Sequence, residues 1–167
     1  MSPTGDTPHG DEIIVVVVRE CRPDDAKNIA DLLNDLMAVA HGDRPVTTAR
    51  VESYFRHCTA HGEMYANFVA EESGRAVGFL SAVFYQTPFH DKGTCLINEL
   101  IVDADYRGLG VGRALVESAK DEAKRRAMDE IEVGTEKNNV DAQRFYKRVG
   151  FDEEYVLMGE DFHKGKK

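Results

Sequence analysis

Cysteine is scarce in this 167-residue chain. Cys21, Cys58 and Cys95 are odd in number and widely spaced, and no Cys-x-x-Cys pair is present. They read as reduced thiols of a cytoplasmic protein and exclude a disulfide framework. Positive charge is also short, with 21 Lys and Arg against 30 Asp and Glu, a formal charge of -9 and an isoelectric point near 5.1. A nucleic-acid binder that works by neutralising phosphates is excluded unless its basic residues gather on one face. The same balance attracts cationic substrates. Long hydrophobic runs are missing as well. The longest aliphatic stretch, residues 13–18, is far below the roughly 20 apolar residues that span a bilayer. The polar, acidic MSPTGDTPHGDE before it has no basic start, so it does not read as a signal peptide. No repeat and no interdomain linker is visible.

What is present reads as one domain over residues 12–160, after a disordered leader over 1–11 and before a frayed basic tail over 161–167. The β-branched run IIVVVV over 13–18 predicts a buried strand. Pro23, Asp24 and Asp25 suit a helix start, and Ile29, Leu32, Leu33, Leu36, Met37 and Ala40 recur at helical spacing up to a stop at Gly42. A second helix is expected over 47–61, and then a hairpin of strands over 65–71 and 76–85 around Glu72-Ser73-Gly74-Arg75. A loop (TPFHDKG, 87–93), a strand over 95–102 and a glycine-rich connection follow. Val111, Leu115, Ala119 and Ala123 lie four apart on one helical face. A strand over 130–135, a short helix over 140–149 and a last strand over 151–158 complete the order β-α-α-β-β-β-α-β-α-β.

One segment stands apart, ELIVDADYRGLGVGRALVESAK. Gly108, Gly110 and Gly112 stand where a helix opens, so close backbone approach, unpaired N–H groups and the positive end of the helix dipole converge. That suits a phosphate or pyrophosphate, with Arg107 and Arg113 adding charge-assisted bonds. A P-loop would need Lys followed by Ser or Thr, and a dinucleotide fingerprint would need GxGxxG early in a βαβ unit; neither is met. The pattern [Arg/Gln]-x-x-Gly-x-[Gly/Ala] is met by Arg107, Gly110 and Gly112. Taken alone, glycines serving only a tight turn would account for the loop.

Downstream stands N-x2-A-x3-Y-x3-GF, carried by Asn139, Ala142, Tyr146, Gly150 and Phe151. Together with LIV and DADYRGLGVG it closely resembles the GCN5-related N-acetyltransferase (GNAT) superfamily, over residues 13–158. The resemblance implies an α/β (α+β) acyl-CoA N-acyltransferase fold, a mixed twisted sheet flanked by helices in which strands 4 and 5 splay apart. It implies acetyl-CoA as the acyl-donor cosubstrate. The pantetheine arm would pair with the backbone of Leu100, Ile101 and Val102, and the pyrophosphate would meet Arg107, Gly108, Leu109, Gly110, Val111, Gly112 and Arg113. Asn139, with Ala142 in the same motif, would border the pantetheine arm, and Tyr146 would lie near the thioester sulfur. A homodimer is compatible with the resemblance, and no metal is implied.

The chemistry implied is direct attack of an amine on the acetyl thioester. Tyr146 is the candidate to protonate the leaving thiolate, against a role in packing the last helix. A backbone N–H at or beside Leu100 would hold the oxyanion. Glu99 is an ionisable residue inside an apolar strand, placed either to take the ammonium proton or to pair with an Arg or a loop. Alternation puts Asn98 and Glu99 on opposite faces. Several relatives carry their catalytic carboxylate where Asn98 stands, and an amide cannot take that proton. His57 and His61 read as an exposed helical face without a third metal ligand, His90 as a loop residue that is solvated or else faces the acceptor, and Cys95 as a small buried hydrophobe. The expected acceptor is a small cationic primary amine, polyamine- or aminoglycoside-like. The alternatives are a protein or peptide N-terminus and a non-catalytic acyl-CoA-binding module.

Overall fold

A computed structural model describes residues 15–40, 45–160 and 162. The expected leader, the stop at Gly42 and nearly all of the basic tail lie outside the described residues. The elements are β1 (Val17–Glu20), α1 (Ala26–Ala40), α2 (Thr48–Ala60), β2 (Tyr65–Glu72), β3 (Arg75–Tyr85), β4 (Thr94–Val102), α3 (Val111–Arg125), β5 (Glu130–Val133) and α4 (Val140–Arg148). The strands form one mixed sheet in the order β1-β2-β3-β4-β5, antiparallel except for the parallel β4–β5 pair.

Local chemistry explains most boundaries. Thr47 caps α2, its side chain accepting the Arg50 N–H. Ser73 and Gly74 both adopt positive φ, 49° and 80°, which makes the two-residue β2–β3 turn that matches strand twist. The stripe Val111, Leu115, Ala119 and Ala123 is at most 5% exposed. It packs on Phe68, Leu80, Ala82, Phe84, Cys95 and Ile97 from one face of the sheet. The other face sends Val69, Ala76, Phe79 and Ile101 against Ile29, Ala30, Leu32 and Val51 of α1 and α2.

Two expectations are corrected. The first strand is not buried throughout. β1 is an edge strand, Val15 and Val17 are exposed while Val16 and Val18 pack on the core, and Ile13 and Ile14 lie outside the described residues. An edge strand with one covered face can bury only alternate side chains. The last strand, over 151–158, does not form. Tyr155, Val156, Leu157 and Met158 are consecutive apolar residues, all exposed, so no strand register puts all four on one face. The segment is held by side chains instead, the Tyr155 hydroxyl bridging Glu130 and Glu153 at 3.2 and 2.6 Å and Glu154 pairing with Lys147 at 2.5 Å.

Candidate active site

The β4–β5 ladder runs from Thr94↔Glu130 to Ile97↔Val133 and stops. On its other edge β4 stays paired with β3 as far as Gly78↔Val102. Leu100, Ile101 and Val102 therefore have a strand partner on one side only. Their side chains are committed, Ile101 at 3% exposure to the α1–α2 core and Leu100 and Val102 to the α3 core. The groups left for a ligand are main-chain amides along a free strand edge, which suits an extended amide-bearing arm.

Within this edge the register shifts. Ser81 pairs with Glu99 and Ala82 with Ile97, so Asn98 is the extra residue of a bulge. The expected opposite orientation of Asn98 and Glu99 is thereby corrected: the Asn98 Nδ2 donates to Glu99 Oε1 at 2.9 Å. The fully buried Ser81 hydroxyl donates to the other carboxylate oxygen. Glu99 thus pairs with an amide and a hydroxyl, not with an Arg.

The glycine loop follows β4 after the short 3-10 turn Ala104–Tyr106. Gly108 and Gly110 have φ of 78° and 88°, and a Cβ on either would meet nothing within 4 Å. Leu109 is exposed and Val111 is buried, pinning the start of α3. The first helical bond runs from Ala114 N–H to Gly110 C=O at 3.0 Å. The N–H groups of Val111, Gly112 and Arg113 ahead of it are the unpaired donors of a helix start, and the first turn carries no acidic residue. A diphosphate fits this cradle, which side chains leave open and whose dipole favours an anion. Arg107 uses its Nε to hold the Val102 carbonyl at 3.0 Å, and Arg113 is exposed, 3.5 Å from the Arg148 carbonyl.

Helix α4 closes on the same corner. A Cβ at Gly112 would stand 3.3 Å from Phe145 Cζ and 3.6 Å from Val102 Cγ2, so loop, strand end and helix meet there. Tyr146 packs edge-on against Phe145 and Phe151, with ring centroids 5.3 and 5.7 Å apart. Burial alone raises its hydroxyl above the usual phenol range. Both roles open to Tyr146 are therefore compatible, since the ring packs while the hydroxyl keeps its proton. Asn139 is exposed and caps α4, its Oδ1 accepting the Ala142 N–H at 3.1 Å, which is a structural use for both residues.

Several polar groups here belong to no motif of the sequence. Ile131 and Val133 pack on the α3 side, so Glu130 and Glu132 face the side that carries Glu99. Glu132 accepts from the Tyr85 hydroxyl at 2.8 Å. His90 is half-buried, 3.1 Å from Glu130 and 2.9 Å from Thr87 Oγ1, which corrects its reading as a solvated loop residue. Among the described residues no Lys or Arg pairs with Glu99, Glu130 or Glu132, whereas Asp25, Glu71 and Glu122 all pair with Arg. The alternation Glu-Ile-Glu-Val is the one signal of this that the sequence carries. Tyr54 adds a bond to Asn67 at 3.1 Å on the same face. His57 and His61 are exposed, and among the described residues no group of three or more His, Cys, Asp or Glu is placed to hold a metal ion. Cys95 is fully buried, and desolvation pushes its thiol up to about 12.

Residues 27–151 match the acetyltransferase (GNAT) family. The chain belongs to that family. This GNAT chain is 37% identical over 93 residues to an uncharacterised N-acetyltransferase of Methanocaldococcus jannaschii, covering 55% of this chain and 41% of that one. It is 33% identical over 92 residues to the ribosomal protein bS18-alanine N-acetyltransferase of Escherichia coli, covering 55% and 58%. The matches thus span about half the length of these curated relatives. In fold it is similar to glucosamine-6-phosphate N-acetyltransferase from Arabidopsis thaliana, with a TM-score of 0.76 at 20% identity, over 89% of this chain and 99% of that one. The mixed sheet with its parted β4 and β5 is that shared GNAT architecture.

Proposed function

We propose that this chain is an N-acetyltransferase that moves the acetyl group of acetyl-CoA directly to a cationic primary amine. The observation that carries the reading is the junction of a free β4 edge with the unpaired first turn of α3. Such a junction can hold an amide-bearing arm and a diphosphate at once.

Bound acetyl-CoA would supply an activated acetyl thioester. An alkyl ammonium keeps its proton at neutral pH, where its pKa is about 10. Glu99, held by Ser81 and Asn98, would accept that proton, freeing the lone pair for attack. A main-chain N–H of the free edge near Leu100 would donate to the carbonyl oxygen as charge develops there. As the C–N bond forms and the C–S bond breaks, the Tyr146 hydroxyl would give its proton to the departing sulfur, and the second proton shed by the acylated nitrogen would return the phenol to its neutral form, leaving an amide and the free coenzyme A thiol. Glu130 and Glu132, which no Lys or Arg among the described residues neutralises, would attract the acceptor. Three free thiols suit a reducing, cytoplasmic setting, and no helix among the described residues is long and apolar enough to cross a membrane.

Similarity to the bS18-alanine enzyme favours a second reading, in which the acceptor is a peptide α-amine. The test is coenzyme A release from acetyl-CoA across a panel of diamines, polyamines, aminoglycosides and peptides with free N-termini. Turnover is expected with small cationic amines. Turnover only with peptides would select the second reading, and binding of acetyl-CoA without any turnover would leave an acyl-CoA-binding module.

A further inference from the structure

The tip of the β2–β3 hairpin grips the segment leading into the glycine loop. Glu72 and Arg75 form the last pair of the ladder, and the side chains of both leave the hairpin. The Tyr106 hydroxyl donates to Glu72 Oε2 at 3.2 Å, and the Arg75 guanidinium donates to Asp103 Oδ2 at 2.8 Å. Ser73, inside the turn, donates to the other Glu72 oxygen at 2.6 Å. The Asp103 N–H bonds the Val77 carbonyl at 2.9 Å. Its second carboxylate oxygen accepts the Asp105 N–H at 3.1 Å, which caps the 3-10 turn Ala104–Tyr106.

We infer that Glu72 and Arg75 are positioning residues for coenzyme A, fixing the 103–106 turn so that the glycine loop is ordered before ligand arrives. This rests on the reading that residues 108–113 hold the pyrophosphate. Gly108 follows Tyr106 by two residues, so freedom at the phenol passes straight into the cradle. The Arg75 side chain is 59% exposed, and an exposed ion pair of that kind adds little to global stability. Its effect lies in the order of the loop, because a loop fixed beforehand does not lose that freedom on binding.

The test compares wild type with Arg75→Ala, Tyr106→Phe and the double variant, by calorimetric titration with coenzyme A and by turnover of acetyl-pantetheine, which lacks the diphosphate. The double variant should bind coenzyme A about three- to tenfold more weakly while its KM for acetyl-pantetheine stays within about twofold. Arg75→Lys should restore most of the affinity. Coenzyme A affinity within about twofold of wild type, or an equal loss for acetyl-pantetheine, would overturn the inference. Arg75→Ala alone decides the matter should the double variant not fold. A wild type that binds no coenzyme A would instead remove the cofactor reading itself.

Discussion

Gly110 is the position at which backbone geometry and cofactor chemistry separate most cleanly. Its φ of 88° places it in the left-handed region, where an L-residue costs roughly 1–2 kcal/mol. A Cβ would meet no atom within 4 Å, so Gly110→Ala imposes the backbone cost without a clash. It should lower unfolding stability by about 1–2 kcal/mol and weaken coenzyme A only a few-fold. Gly110→Glu has the same backbone cost and adds a carboxylate at the helix start. A negative charge roughly 6 Å from a phosphoryl group is unfavourable by about 3 kcal/mol at an effective dielectric constant of about 20, and solvent exposure and salt roughly halve that. About 1.4 kcal/mol is a factor of ten, so Gly110→Glu should bind coenzyme A at least about tenfold more weakly than Gly110→Ala at equal stability. Calorimetric titration and denaturant unfolding of both variants supply the two numbers. Equal affinities for the two would mean that no anion sits at this helix start.

Tyr146→Phe keeps the packing on Phe145 and Phe151, so coenzyme A affinity should hold while kcat falls by about 10²-fold or more, and unchanged kcat would remove Tyr146 from the proton path. Cys95 should resist thiol reagents at pH 8 in the native protein and react once denaturant is added, because burial pushes its thiol up to about 12; rapid native labelling, read by mass, would contradict this. Burial acts to raise the Asp25 carboxyl, but the Arg19 guanidinium and the Arg22 N–H outweigh it and hold that carboxyl below the usual carboxylate range. A folded-state value below the unfolded one contributes stability that is present above the unfolded value and lost as pH falls through the folded one. Asp25→Asn should therefore flatten the acid limb of stability below about pH 4, measured by denaturant unfolding across pH. Asn139→Ala removes the cap of α4 and should lower stability by about 1 kcal/mol, which thermal unfolding would register.

Features that depend on neighbours in the chain are legible in the amino-acid sequence alone. The Ser73-Gly74 turn, the Thr47 cap, the stripe of α3 and the glycine start at Gly110 are set by one residue's φ, one hydroxyl or a period of 3.6, and all stand where composition puts them. The same locality explains why GxGxG with Asn139 and Tyr146 suffices to indicate the family. Features that depend on pairing across the sheet are not legible in this way. The bulge at Asn98 exists because Ser81 and Ala82 set the register of β4, and it turns Asn98 toward Glu99 against simple alternation. The contacts of the β5 carboxylates, Glu130 with His90 and Glu132 with Tyr85, and that of Glu72 with Tyr106 likewise join residues far apart in the chain. The last strand fails for the same reason, since a strand exists only where a partner edge accepts its register. Short-range geometry therefore belongs to the sequence, and the facing of side chains across the cleft belongs to the packed sheet.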